Sequence, residues 1–180
     1  GAAAEAAARA GASLTLIGDG ELAGSLQAAP GNLRLAGWCD RSGIADHASR
    51  ARALIVPSRV VEPFGLVILE AAMSGLPVIV SDRAYLAGDA ERLGFGHAFD
   101  PASPAALDVA IAALAASDLR VAEMSRNGFA HAGTLGLSAN AWSERFIELF
   151  MGMVPQSAGA GGFDGIAASP RIAAGLSSGW

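Results

Sequence analysis

The apolar positions of the chain fall into two kinds of segment. Short, mainly apolar runs at 13–17, 33–36, 53–56 and 77–81 each close on glycine, proline, serine or aspartate. Runs of this length, rich in Leu, Ile and Val between turn residues, predict buried strands. A further strand is expected near 95–99. The longer stretches between them carry helical patterning and predict helices at 2–10, 21–28, 44–51, 66–74, 87–93, 104–116, 118–132 and 139–153. In the last of these, Trp142, Phe146, Leu149 and Phe150 share one face, suited to a core. Gly75 stands where a helix-ending glycine belongs, and Pro104 stands at a first helical position. Strands alternating with helices imply βαβ units. The expected fold class is therefore α/β: a Rossmann-like parallel sheet flanked by helices, with right-handed crossovers. Such sheets bind ligands beyond the carboxyl ends of their strands, which directs attention to the loops after Ile17, Ala36, Val56 and Ser81. Beyond Val154 the patterning lapses. Residues 1–154 are expected to form the domain, and 155–180, dominated by Gly, Ala and Ser, a flexible tail.

Length and charge narrow the chemistry. The 180 residues are enough for one sizeable core. Seventeen acidic against 12 basic side chains give a net charge of −5, which disfavours a nucleic-acid partner. All the basic residues are Arg, so neither a Lys Schiff base nor a Walker-A Lys is available from this sequence. The Arg-only, Ala-rich usage reads as genome base bias. Cys39 is the single cysteine, which removes disulfide frameworks and cysteine-based zinc sites and fits a reducing compartment. No run reaches the ~18 apolar residues of a membrane span. The chain begins with Gly rather than Met and lacks the order of a signal peptide, so a domain cut from a longer chain is expected.

The informative stretch is 57–81, PSRVVEPFGLVILEAAMSGLPVIVS. Glu62 lies in the loop at a strand's carboxyl end. Glu70 lies one turn into the following helix, and Pro63-Phe64-Gly65 leads into that helix. The first turn of a helix leaves N–H groups unpaired and carries partial positive charge. Gly65 has no Cβ to hinder an approaching anion, so the amides of Gly65, Leu66 and Val67 can cradle a phosphate without any Lys. Carboxylates beside a phosphate need hydroxyl donors, and ribose or sugar hydroxyls suit Glu70 and Glu62. The plainer alternative is that both are surface charges. Against it, Glu70 sits in LVILEAAM among apolar neighbours expected to be buried, where a charge is costly unless it faces a cleft.

This stretch resembles the nucleotide-sugar-binding half of the family 4 glycosyltransferases, which have the two-domain GT-B fold. That family's pattern is E-P-F-G-L-x-x-x-E-A-M-x-x-G-x-P-V. Here it is carried by Glu62, Pro63, Phe64, Gly65, Leu66, Glu70, Ala71, Gly75, Pro77 and Val78, with Met73 displaced by one because Ala72 follows Ala71. Segments 14–22, 33–40, 53–58 and 99–114 extend the likeness over about 12–150. The resemblance implies that Glu62 contacts donor-sugar hydroxyls and is the candidate catalytic residue of this half. It implies that Phe64, Gly65 and Leu66 offer backbone N–H groups to sugar and diphosphate, and that Glu70 binds the ribose. It further implies a nucleotide-diphosphate sugar as substrate, retention of anomeric configuration, and no cofactor or required metal. A sugar, lipid or small-molecule acceptor would be held by an amino-terminal half outside these residues. The resemblance also implies a first strand ahead of this sequence and a loop with phosphate-binding Arg and Lys. Arg59 is the basic residue nearest the motif, either a partial substitute or an exposed loop residue. The expected location is cytoplasmic, or peripheral at a membrane for the full enzyme.

Two rival classes remain. Gly18-Asp19-Gly20-Glu21-Leu22-Ala23 matches G-x-G-x-x-A after a strand, with Asp40 near the end of the next. On paper this is a dinucleotide (NAD or FAD) fingerprint, although Asp19 would put a negative charge by the pyrophosphate. Otherwise Gly18 and Gly20 line the nucleotide cleft or simply turn the chain. Trp38, after a strand end, is a candidate to stack on a base, or else a core or rim residue. The third class is a truncated nucleotide-sugar-binding module without catalysis. His47, His97 and His131 share no metal-ligand spacing, and Ser74 and Ser81 lack the elbow of a serine hydrolase.

Overall fold

The computed structural model describes residues 2–21, 23–26, 31–136 and 139–153. Along the chain these form α1 (Ala2–Arg9), β1 (Leu14–Ile17), α2 (Ala23–Leu26), β2 (Leu33–Gly37), α3 (Arg41–Ala48), β3 (Leu54–Val56), α4 (Leu66–Met73), β4 (Val78–Ser81), α5 (Ala87–Arg92), β5 (Gly96–Phe99), α6 (Pro104–Ala115), α7 (Asp118–His131), a 3-10 turn (Ala132–Thr134) and α8 (Ala139–Met153). The expected tail at 155–180 lies outside the described residues. Contacts divide the chain into two units, residues 1–137 and 138–180.

The expected alternation of strands and helices is present, and every strand pair is parallel. The sheet differs from expectation: it is two ladders, β1-β2 and β3-β4-β5, rather than one. β4 is the centre of the larger ladder and is buried throughout. Its pleat sends Val78 and Val80 into one core, with Ile68 and Ala72 of α4, Leu86, Ala87 and Ala90 around α5, and Phe95. Ile79 enters a second core with Ala6 and Ala7 of α1, Leu107, Ala110 and Ile111 of α6, and Met124 of α7. A strand covered on both faces reads as a continuous apolar run, which is why Val78-Ile79-Val80 is so legible in sequence.

Local chemistry sets the ends. α4 stops at Gly75, whose φ of 69° lets its own N–H reach Ala72 O (2.9 Å) while Leu76 N–H reaches Ala71 O (2.8 Å). α3 starts at Arg41, three residues before the expected 44. Asp40 is its cap, with Oδ1 accepting from Gly43 N–H at 2.8 Å and from Ser42 Oγ at 2.8 Å. In the second unit, α8 carries a ladder of rings on one side: Trp142 stacks on Phe146 at 4.9 Å, and Phe146 meets Phe150 at 4.7 Å.

α1 is tied to α6 by a forked ion pair, with Arg9 Nε and Nη2 each 2.8 Å from an oxygen of Asp108. Hydrogen bonding from Arg9 holds the Asp108 carboxyl below its ordinary range. A carboxyl depressed in the folded state stabilises above its unfolded value of about 3.9, and that contribution fades as pH falls through the lower folded value. The Tm difference between the parent and Asp108→Ala should therefore be level above about pH 5 and shrink below about pH 3.9. A difference independent of pH across that window would remove the ion pair from the account. Both groups are solvent-facing, so the effect is expected to be small.

Candidate functional site

The loop from β3 to α4 carries Glu62, and its backbone is held from both sides. Glu62 N–H donates to the Arg83 carbonyl and Tyr85 N–H donates to the Glu62 carbonyl, each at 3.1 Å, so that Glu62 and Ala84 form a parallel bridge. The receiving loop is itself fixed. The buried Ser81 hydroxyl accepts from Arg83 N–H at 3.1 Å, and Asp82 N–H donates to the Phe99 carbonyl at 2.9 Å. The Phe64 ring stacks on Tyr85 with centroids 6.0 Å apart and planes 27° apart. Glu62 is thus positioned by β4 and β5 as well as by its own loop. Its carboxylate is half-buried, with Ser58 Oγ 3.5 Å from Oε2.

Gly65 turns this loop into α4. It is buried and left-handed, at φ 77° and ψ 59°, and supplies no side-chain cap. A Cβ here would lie 2.8 Å from Ile68 Cδ1 and 3.5 Å from Glu62 Cγ. The Gly65 carbonyl accepts from Ile68 N–H at 2.9 Å. Among the described residues, the N–H groups of Gly65, Leu66 and Val67 have no acceptor. Three adjacent unpaired donors stand at the end of a helix where negative charge is favoured.

Glu70 projects from α4 on its exposed side, between Leu66 and Val67 one turn earlier and Met73 one turn later. This corrects the expectation that its apolar neighbours are buried. Ile68, Ala71 and Ala72 are the buried face, whereas Leu66 is 65% exposed and Met73 54%. The cost of burying a charge therefore does not bear on Glu70. What marks the surface instead is one carboxylate bordered by open apolar side chains, continuous in sequence with the unpaired amides.

The remaining candidates lie elsewhere in the strand-end loops. Gly18 N–H donates to the Gly37 carbonyl at 2.7 Å, joining the ends of β1 and β2. Trp38 follows directly and is 72% exposed, which excludes the core alternative. Gly20 and Arg59 are exposed, and among the described residues no hydrogen bond or ring contact joins Gly18, Gly20, Trp38 or Arg59 to Glu62 or Glu70. The dinucleotide reading loses ground in two places. Its ribose-binding acid, Asp40, is committed to capping α3, and the hydrogen bond from Gly43 N–H lowers the pKa of its carboxyl. Its first glycine amide is committed to Gly37. The residues that sequence reasoning passed over are Arg83, Ala84 and Tyr85. Their signal was their place after β4, in one of the loops already marked by the strand-end rule. Among the described residues, no group of three His, Cys, Asp or Glu side chains is placed to hold a metal ion. No described helix is long and apolar enough to cross a membrane.

A family model described as glycosyl transferases group 1 matches residues 2–117. The chain belongs to this family. An 81-residue segment, 45% of the chain, is 35% identical to "Probable sucrose-phosphate synthase 5" of Oryza sativa subsp. japonica and covers 8% of that protein. Among solved structures, the group 1 chain is similar to sucrose-phosphate synthase from Thermosynechococcus elongatus, with 25% identity and a TM-score of 0.70 over 84% of this chain and 43% of that one. It is similar in fold to Anabaena HepE, solved in complex with UDP, with 20% identity and a TM-score of 0.71 over 84% of this chain and 44% of that one. The chain thus spans less than half the length of these relatives. It is a glycosyltransferase domain with the architecture of one Rossmann-like half of a GT-B fold.

Proposed function

We propose that this domain is the carboxyl-terminal, donor-binding half of a retaining glycosyltransferase. The reaction would move a hexose from a nucleotide-diphosphate sugar to a sugar, lipid or small-molecule acceptor bound by another half. The observation that carries the reading is the continuous element from Glu62 to Glu70. It contains a glutamate whose backbone is held by the loop after β4, three unpaired amides at the start of α4, and a second carboxylate one turn along its open face.

In this reading the diphosphate lies at the Gly65–Val67 amides. Negative charge grows on the diphosphate as the glycosidic bond breaks, so donors already aimed at it stabilise the transition state more than the ground state. Glu70 accepts from ribose hydroxyls and Glu62 from hydroxyls of the sugar, holding the anomeric carbon in place while positive charge develops there. The acceptor attacks from the face that the diphosphate leaves. Trp38 and the glycines at the ends of β1 and β2 are the proposed base side of the cleft, and Arg59 the proposed supplementary cation.

The two carboxylates separate in a paired titration with UDP and UDP-glucose. Glu70→Ala should weaken both ligands by about 1.5–3 kcal/mol, the scale of hydrogen bonds to a charged group. Glu62→Ala should weaken UDP-glucose while leaving UDP within about twofold of the parent, as expected if its contacts are confined to the sugar. Equal losses for both variants on both ligands would remove the assigned roles.

A further inference from the structure

One residue contacts the segment 62–65 at two points. Tyr85 N–H donates to the Glu62 carbonyl at 3.1 Å, and the Tyr85 ring stacks on Phe64, the residue before Gly65. The main chain at Tyr85 is fixed independently of these contacts. It stands between Ala84 and Leu86, both buried in the core. The turn that presents it is closed by Ala84 N–H donating to the Ser81 carbonyl and Ala87 N–H donating to the Ala84 carbonyl, each at 3.0 Å. The Tyr85 side chain, by contrast, is 67% exposed, while Phe64 beneath it is half-buried. The ring is therefore held by its stack and not by burial.

The two ends of the segment are secured differently. The amide end belongs to α4, which is anchored by buried Ile68, Ala71 and Ala72 and closed by Ile68 N–H donating to the Gly65 carbonyl at 2.9 Å. The Glu62 end lies in no helix or strand. Its bridge to Ala84 is isolated and consists of the two hydrogen bonds to residues 83 and 85. The described partner of its carboxylate, Ser58 Oγ, is 3.5 Å away, a long contact. Glu62 Cγ lies beside Gly65, 3.5 Å from where a Cβ would stand, so small movements of residue 62 alter its spacing from the start of α4.

We propose that the Tyr85 ring is a positioning element of the donor site: stacked on Phe64, it holds the Glu62 carboxylate at a fixed spacing from the Gly65–Val67 amides, so that the sugar and diphosphate of one nucleotide sugar are engaged together. The proposal rests on the donor reading above. A second contact adds its full strength only when it is already placed for a ligand held by the first. Tyr85 acts through Phe64 and Glu62, and its hydroxyl touches no ligand. Without the ring the amides stay with α4, whereas Glu62 loses its placement. Diphosphate binding persists, and the contribution of the sugar falls.

The test uses the 180-residue chain with Tyr85→Phe, Tyr85→Leu, Tyr85→Ala, Glu62→Ala and the double variant Glu62→Ala/Tyr85→Ala. UDP and UDP-glucose are titrated by calorimetry, or the GDP or ADP pair where that binds tighter. The UDP dissociation constant divided by that of UDP-glucose measures what the sugar adds. Tyr85→Ala and Tyr85→Leu should lower this ratio about fivefold or more, with the UDP constant within about twofold of the parent. Tyr85→Phe keeps the flat ring and should keep the parental ratio. In the Glu62→Ala background, Tyr85→Ala should lower the ratio no further, as for two residues acting through one contact. Without ligand, amide exchange at Glu62 should quicken about tenfold or more in Tyr85→Ala and not in Tyr85→Phe, with Ile79 and Val80 protected as in the parent. A parental ratio in Tyr85→Ala, where Glu62→Ala lowers it, would overturn the proposal and leave the donor reading standing. So would unchanged exchange at Glu62, equal losses of UDP and UDP-glucose in Tyr85→Ala, or a lowered ratio in Tyr85→Phe, which would make the hydroxyl a ligand contact. Failure of every pair to bind, or a parental ratio in Glu62→Ala, would remove the donor reading itself and the proposal with it.

Discussion

A Gly65→Ala chain is expected to lose stability and donor binding together. Gly65 is left-handed, and an L residue with a Cβ costs about 1–2 kcal/mol there. The new Cβ would also meet Ile68 Cδ1 at 2.8 Å, and Ile68 is fully buried beneath α4, so relief must come from a shifted side chain or loop. Overpacking of this kind adds a further ~1–3 kcal/mol. The loop is the softer element, and Glu62 Cγ lies 3.5 Å from the same Cβ position, so the shift falls on the residue proposed to hold the sugar. Thermal unfolding should show a Tm several degrees below the parent, at roughly 2–4 °C per kcal/mol for a chain of this size. UDP-glucose affinity at temperatures where the variant is folded should fall by about tenfold or more, since the disturbed loop leads directly into the amide cradle. A variant with parental Tm would contradict the left-handed, close-packed turn. A destabilised variant with parental affinity would detach the turn from the site.

The second large effect is expected at Gly128, far from the site in sequence. Gly128 is buried in α7, where the helix passes so close to α4 that a Cβ would lie 2.9 Å from the Ala72 carbonyl oxygen and 3.3 Å from Ala72 Cα. These are backbone atoms and cannot rotate away. Gly128→Ala must push α4 and α7 apart, opening the core formed by Ile68, Ala72 and Phe95. A cost of about 1–3 kcal/mol is expected from the overpacking, offset in part by the better helix propensity of Ala. Because α4 carries Glu70 and the unpaired amides, UDP affinity should fall in parallel. Ala at 133, where a Cβ meets nothing within 4 Å, is the matched control and should leave both Tm and affinity near the parent. An unchanged Tm for Gly128→Ala would show that the two helices are not held at this spacing.

What could be read from the sequence follows from which forces are local. β4 and α4 were legible because Val78-Ile79-Val80 and Leu66–Met73 are apolar runs closed by glycine and by a strand end. The motif was legible because Glu62, Gly65 and Glu70 are held by one loop and one helix. The start of α3 lies three residues before its expected place because Ser42-Gly43 reads as loop, while the Asp40 carboxylate spends its hydrogen bonds capping those residues. The environment of Glu70 is not legible in the sequence because composition does not tell which apolar residues of LVILEAAM face outward. Leu66, Val67 and Met73 do, and only tertiary packing decides it. The support of Glu62 by Arg83 and Tyr85, and the division into two ladders, arise from pairing between segments distant in sequence, on which periodicity is silent.

The central claim is that the start of α4 binds the diphosphate of a nucleotide sugar. It is tested most directly by titrating 15N-labelled chain with UDP-, GDP- and ADP-glucose and with NAD, following every amide. The account predicts that at least one nucleotide sugar shifts Gly65, Leu66 and Val67 saturably, in step with the heat measured by calorimetry. Saturable shifts from NAD at Gly18–Gly20, with Gly65–Val67 unmoved by every nucleotide sugar at millimolar concentration, would contradict it.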